Sequence, residues 1–543
     1  MEMKAVHLLP FVPTTALAAA LVSLLPSRGR KWKYVPSICS FLSASVLLFL
    51  VYRGWERHVG PGPFRWGWWT LTEGNLAFLV LLAVTGPLSL FLLAAGEEAW
   101  GWRQRVIHAL GHLGTAGAAA AVLAGNPLLL AAGCTTATWC AVALALLLEP
   151  TGGGRSRSCA ALFPLVASDL CLALSVLLLV LEVPSRGPLL YSSPSAGADN
   201  IPAFALLLAA ALLRLGTLPF AACHAYLCGR GRAYRLPYLL VLSPVTGGYL
   251  LFLATRVVFS PGMEWRWVFL SAGCAVMIFS TLSVLRNPHP GRARGWLAAS
   301  LGGAFTVALS GGGQGGAAAA RLALLTGIPA LLMLEASGWE GWRRWARMTA
   351  GAAIIGLPPL AGFGFLWAAG NYLAEGNTGA SRSVFFLGWP VAVLAFLVGG
   401  TLAMLSAGEE KESLPAWAAA SVFAVTCAFL VLVGIYPGRV VDFLMREYGL
   451  PLEMPFSSWS SMAWASLLAL AGLGLLWSMW VRRTAGGSTE VRISALPAAA
   501  PLSLMALPFP AREPGEFWVR TAVVFELAMF LGWWGAMALA LSR

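Results

Sequence analysis

Arg214 stands five residues ahead of Pro219 inside the apolar run 201–227. At membrane depth both residues are costly. The proline frees backbone groups that need partners, and the cation needs a counter-charge or a wet path. Together they point to a broken helix lining an ion or substrate route. Arginine does not release its proton in proteins, so it fixes a charge in place and does not relay one. Asp169 lies in the preceding apolar run, 161–183. Buried side by side, the two would offset each other's desolvation, either as a fixed ion pair joining two helices or as part of a proton passage. His224, just beyond Pro219, is a titratable candidate whose other role is a hydrogen bond to backbone freed by the break. His108 and His112 stand at i,i+4 on one helix face. That spacing suits a metal pair or a proton relay, and equally hydrogen bonds between helices. Glu335, near the end of the run 317–336, reads as a snorkelling or capping carboxylate.

The elements that must position these residues are membrane helices. Of the 543 residues, 58% are hydrophobic and 11% charged, a balance no soluble fold of this length tolerates. Continuous apolar runs, without alternation, exclude a transmembrane barrel and give an all-α polytopic membrane protein. About sixteen runs reach the roughly 20 residues a bilayer needs. They fall near 5–25, 34–52, 71–95, 104–124, 127–148, 161–183, 201–227, 234–258, 267–285, 296–310, 317–336, 347–374, 384–406, 414–436, 458–481 and 518–541. The first lacks a basic leader and a small-residue cleavage site, and reads as a span.

The nine cysteines form no CxxC pair and no Cys/His metal spacing, so no metal, haem or iron–sulfur site is expected in this chain. The net charge of +13 is spread through loops and does not form a nucleic-acid patch. Loops after odd-numbered spans hold 23 of the 36 Lys and Arg residues, which by the positive-inside rule turns both termini outward. The proline-rich stretch 482–517 reads as a connector on the cytoplasmic face. Trp66, Trp68 and Trp69, like Trp339, Trp342 and Trp345, read as interface anchors. The glycine run 311–316 follows no strand and is not taken as a phosphate loop.

Two segments are broken alike. Leu218-Pro219-Phe220 sits inside the seventh span and Gly356-Leu-Pro-Pro-Leu-Ala-Gly-Phe363 inside the twelfth. Five spans per repeat inverts the second copy, so spans 4–8 and 9–13 read as two inverted repeats, each with a Pro-broken helix at Pro219 or at Pro358 and Pro359. The resulting organisation is 1–100, three N-terminal helices; 101–258 and 259–408, the repeats; 409–481, helices 14 and 15; 482–517, the connector; and 518–543, a last helix.

The 356–363 stretch resembles the GLPPLxGF signature of the antiporter-like membrane subunits of complex I, energy-converting (group 4) hydrogenases and multisubunit Na+/H+ antiporters. Arg214-Leu-Gly-Thr-Leu-Pro-Phe220 is similar to the family's Lys-x-x-x-x-Pro-Phe stretch. Gly247-Gly-Tyr-Leu-Leu251 and Gly434-Ile-Tyr-Pro-Gly438 resemble its glycine-aromatic run and its glycine–proline turn. The resemblance covers roughly residues 70–445. It implies half-channels built on a glutamate of the fifth helix and a lysine of the seventh, with further lysine or histidine along a central hydrated axis.

This chain departs at those positions. Thr135 aligns with the glutamate, Arg214 with the lysine, Pro329 with an eleventh-helix lysine and Leu366 with a twelfth-helix lysine or glutamate; the eighth helix carries no His or Lys between Tyr238 and Phe252. Such channels need groups that gain and lose protons, so the pumping machinery reads as missing or rebuilt. The resemblance implies a non-catalytic membrane-arm subunit of a proton- or Na+-translocating redox complex, NADH:quinone oxidoreductase-like or hydrogenase-like, in the inner (cytoplasmic) membrane. Its partners would be other membrane-arm subunits and a peripheral arm carrying iron–sulfur clusters, flavin or NiFe. The copy itself would be a scaffold or a partial channel. The alternative is a cation/proton antiporter working without redox partners. A membrane-embedded glycosyl transferase would need acidic residues on a sizeable outer loop, which this chain lacks.

Overall fold

A backbone with no water to bond must satisfy its own polar groups, and the apolar runs accordingly fold as helices. The computed structural model describes residues 6–26, 30–58, 64–97, 100–148, 161–182, 201–217, 220–229, 232–255, 263–286, 290–310, 313–337, 343–356, 360–362, 365, 393–394, 400 and 414–435. In chain order the helices are α1 (Phe11–Leu24), α2 (Val35–His58), α3 (Glu73–Gly96), α4 (Trp102–Val122), α5 (Pro127–Leu148), α6 (Phe163–Glu182), α7 (Ile201–Leu215) and α8 (Ala221–Cys228). A π-helical stretch, Arg235–Leu242, leads into α9 (Ser243–Leu253). Then come α10 (Met263–Arg286), α11 (Pro290–Ser310), α12 (Gly313–Ala336), α13 (Arg343–Ile355) and α14 (Ala416–Ile435).

Among the described residues, eight helices are long and apolar enough to cross a bilayer; α1 and α7 are shorter apolar helices. The chain is a polytopic all-α membrane protein. The runs expected at 458–481 and 518–541, the connector 482–517 and most of 384–406 lie outside the described residues. The eighth expected span is not uniformly α-helical. Its first half is π-helical around Pro237, which has no backbone N–H to place in an α-helical ladder.

Burial sorts the spans into layers. Gly74–Gly96 is 89% buried, and Arg235–Leu253 and Gly316–Ala336 are each buried throughout, so α3, the π/α9 helix and α12 form the centre. Phe163–Val180, Trp265–Val284 and Ala416–Ile435 are half-buried or less, at 44%, 50% and 39%. Their outward faces carry Leu170, Leu174, Leu177, Val268 and Leu432, as lipid-facing helices should. In two pairs of helices, glycine faces glycine across the contact. Where α4 meets α5, a Cβ on Gly117 or Gly133 would lie 2.8 or 2.5 Å from the other's carbonyl oxygen. Where α10 meets α11, Gly273 and Gly303 repeat the arrangement at 2.7 and 2.8 Å. Small residues are what let membrane helices approach this closely.

Among the described residues one strand pair interrupts the helices. β1 (Phe64–Trp66) and β2 (Trp69–Leu71) form an antiparallel hairpin about Gly67, which has φ 58°. Trp69 bridges to Ala124, and the buried Asn75 amide donates to Thr70 O at 2.9 Å and Val122 O at 3.0 Å. Trp68 and Trp69 are therefore half-buried in a hairpin held between α3 and the α4–α5 turn, at the span end where the sequence places them.

Candidate functional site: the glycine break and its buried ion pair

In the first half the helix gives way at a glycine. α7 ends at Leu215, and Gly216 takes φ 67°. Gly216 N–H donates to Leu213 O at 3.3 Å and Thr217 N–H to Leu212 O at 3.1 Å. This is a Schellman turn, which satisfies carbonyls a helix end would otherwise leave bare. The carbonyl of Arg214 accepts from the Ser243 hydroxyl of α9. α9 can come this close because Gly247 faces the break: a Cβ there would lie 2.8 Å from Leu215 N. On the other side Gly302 of α11 stands where a Cβ would be 2.9 Å from Leu215 O. Pro219, expected to cause the break, lies outside the described residues, and the helix has already ended before it. The second break starts the same way. α13 stops at Ile355 and Gly356 has φ 83° with its N–H on Ala353 O at 3.3 Å. Pro358 and Pro359 also lie outside the described residues.

Arg214 points from the last turn of α7 into the protein and is 2% exposed. Its guanidinium makes an ion pair with Asp169 Oδ1 of α6. Through the same Nη2 it donates to Thr138 Oγ1 at 2.9 Å and to Cys134 O at 3.3 Å, both on α5. The pair thus ties three helices together. Two hydroxyls hold α6 in register along α7: Ser168 donates to Ala210 O and Ser175 to Ala203 O, both at 2.8 Å. Thr135, at the position aligned with the family's glutamate, is fully buried and bonds only its own helix, Ala131 O at 3.0 Å and Ala132 O at 3.1 Å. The negative charge beside the break stands one helix further along the chain than the resemblance implies.

His224 reaches back over the break: a Cβ on Gly216 would lie 2.9 Å from its Cγ, and its Nε2 is buried without a hydrogen-bond partner. His108 and His112 lie on α4, away from the Arg214 pair, and are 1% and 0% exposed. His112 Nε2 lies 3.4 Å from Ser37 Oγ of α2, and the His108 ring packs on Trp100 at 4.7 Å between centroids. No group of three or more His, Cys, Asp or Glu side chains suited to a metal ion occurs among the described residues.

Glu335 neither snorkels nor caps. It is 3% exposed and held by two arginines. Arg235 Nε lies 2.6 Å from its Oε1, and Arg294 Nη1 lies 3.0 Å from both oxygens. Arg235 also donates to Cys228 O, at the end of α8, at 2.8 Å. The clamp joins α8, the π-helical stretch, α11 and α12. Three further cations bond helix C-terminal carbonyls: Lys33 on Glu97 O at 2.5 Å, Arg103 on Leu147 O and Leu148 O at 2.9 Å, and Arg105 on Leu24 O at 3.4 Å. These are the ends where a helix concentrates partial negative charge.

Sequence reasoning missed Arg321. On α12 it is 1% exposed and lies over the Phe252 ring of α9 at 5.2 Å, within an aromatic cluster that includes Phe78 and Tyr249. The signal was available: Arg321 has four alanines before it and an apolar run after it.

No family model matches the chain, and no curated protein does. Solved structures do. The Mrp complex of a Dietzia species contains a chain that aligns with TM-score 0.71 and 17% identity over 98% of this chain, which spans 63% of that one. The membrane-bound sulfane sulfur reductase, an archaeal respiratory membrane complex, aligns with TM-score 0.67 and 15% identity over 98% of this chain and 95% of its own. Respiratory complex I from Thermus thermophilus aligns with TM-score 0.63 and 17% identity over 81% and 98%. The chain shares its fold with membrane chains of these three complexes.

Proposed function

We propose that this chain is an antiporter-like subunit of the membrane arm of a redox-driven, proton- or Na+-translocating complex, and that its first half-channel is locked. One observation carries the reading. At the break, where the resemblance implies a lysine that exchanges protons, a buried arginine is tied to Asp169, Thr138 and Cys134 O. An arginine cannot pass its proton on. The chain then acts as a scaffold or partial channel, and electron transfer belongs to partner subunits that carry the iron–sulfur, flavin or NiFe centres.

The reading includes sixteen spans, two inverted repeats and outward-facing termini. Three paired features favour the repeats. Gly117 against Gly133 and Gly273 against Gly303 mark spans 4–5 and 9–10, and left-handed glycines mark both breaks, each with a proline three residues later, at Pro219 and Pro359.

The test has two arms. Purification of the intact chain in mild detergent, followed by mass spectrometry, should recover other membrane-arm subunits together with a hydrogenase-like or quinone-site subunit. Arg214→Lys should then alter assembly or thermal stability without raising coupled ion flux; a gain of coupling would show a live pathway. A second reading, an ion transporter without redox partners, is favoured by the Mrp chain's TM-score of 0.71. It requires ion flux in liposomes from this chain with no redox subunit present.

A further inference from the structure

A second polar system lies where α2, one of the N-terminal helices, meets α4, the first helix of the first repeat. On α2 Ser37 and Ser40 stand one turn apart, and on α4 His108, His112 and Thr115 share a face. The two rows meet: His112 Nε2 is 3.4 Å from Ser37 Oγ, and one turn further in Ser40, Thr115 and Thr15 of α1 line a cavity whose other walls are apolar, among them Leu79, Leu82 and Pro87, and which neither histidine lines. That cavity is about 20 Å³, room for about one water. The imidazoles are buried as deeply as any core side chain, at 1% and 0% exposure, yet His108 Nε2 and His112 Nδ1 have no hydrogen-bond partner. A ring nitrogen buried away from water without a partner keeps its full desolvation penalty, and two within one helical turn is not how a dry interface is built. The outer end is defined. Trp100 packs on His108 at 4.7 Å, and the buried Lys33 ammonium lies nearby while donating to Glu97 O at 2.5 Å. At 1.5 Å per residue from the start of α4, His108 lies about 9 Å in and Thr115 about 20 Å in.

We propose that His108 and His112, with Ser37, Ser40 and Thr115, form a water-holding proton-relay seam running from the basic end of the bundle into the α1–α4 interior. Waters complete the bare ring nitrogens. A proton taken up at one nitrogen of a ring is matched by one released from the other, so each imidazole returns to neutral. The charged and titratable groups at the seam among the described residues are Lys33, Glu97 whose carbonyl accepts from it, Arg105 one turn before His108 on α4, and the two imidazoles themselves. The lysine disfavours a metal cation beside His108 and leaves water as the fitting occupant. The proposal is independent of the locked pair at Arg214, because the seam shares no residue with it.

Two measurements on the intact purified protein in lipid nanodiscs test it. In X-ray radiolytic labelling with 18O water, His108 and His112 should take up label at least about tenfold faster than the buried Phe305, because bound water supplies the radicals in place. The double variant Ser40→Ala/Thr115→Val should bring His112 towards the Phe305 rate. In solid-state NMR of 15N-histidine protein, both ring nitrogens of each residue should exchange hydrogen with water, which a merely structural hydrogen bond would not produce. Rings that label no faster than Phe305 would overturn the seam. Rings that are wet but fixed in one tautomer without exchange would overturn the relay.

Discussion

A guanidinium and a carboxylate sealed from water have each lost several kcal/mol of hydration, and only their mutual attraction and the hydrogen bonds around them make good the loss. The balance at Arg214 and Asp169 therefore depends on both partners. Asp169→Asn leaves the arginine charge buried without a counter-charge and should lower stability by about 3–5 kcal/mol. Replacing both, as Arg214→Met with Asp169→Leu, removes both desolvation terms and should stay within about 1 kcal/mol of wild type. Thermal unfolding in detergent, followed by tryptophan fluorescence, separates the cases. A double variant as unstable as Asp169→Asn would mean that the pair is not the coupled unit its geometry indicates. The same logic applies to Glu335, which faces both Arg235 and Arg294. Glu335→Gln leaves two arginines facing each other and should destabilise more than Arg294→Gln, which leaves the Arg235–Glu335 pair intact. Comparison of the two melting temperatures checks the order.

The helix termini show what was legible in the sequence and what was not. The apolar runs gave α1 to α14 nearly in place, because a bilayer leaves a backbone no other choice. The pairing of Asp169 with Arg214 was also legible, since two opposite charges in adjacent spans have few other ways to be buried. The glycine at the break was not singled out. Pro219 drew attention because a proline cannot donate to the helix ladder, but the turn needs a left-handed residue first, and Gly216 supplies it three positions earlier. Glu335 was misread, and Arg321 passed over, because a linear count treats a charge near a span end as wet, whereas neighbouring helices decide whether water reaches it. The glycine cause can be tested directly. Gly216→Ala strains a residue at φ 67° and pushes a methyl group against the His224 ring, so it should cost roughly 1–3 kcal/mol. Gly216→Ala combined with His224→Ala should recover only the steric part. Equal melting temperatures for the single variant and wild type would return the cause of the break to Pro219.

Across the whole molecule the same cations serve two purposes. Lys33, Arg103, Arg105 and Arg235 bond the C-terminal carbonyls of α1, α3, α5 and α8, the exits of spans 1, 3, 5 and 7. Those exits carry the excess of Lys and Arg in the sequence. A helix C-terminus attracts a cation, and the cytoplasmic leaflet retains one, so local capping and global orientation favour the same positions. The two effects differ in size. Each cap contributes only about 0.3–1 kcal/mol, whereas orientation is set by the summed bias of many loops and should survive the loss of any one cap. An epitope inserted at Gly153, in the loop after the fifth span, should therefore be hidden in intact spheroplasts and exposed when they are opened. One inserted at Ser195, after the sixth span, should be accessible in both. Arg103→Gln should leave this pattern unchanged while lowering the melting temperature, because it removes a cap without reversing the bias. Accessibility of the Gly153 epitope from outside would invert the orientation and, with it, the side from which protons enter the histidine seam.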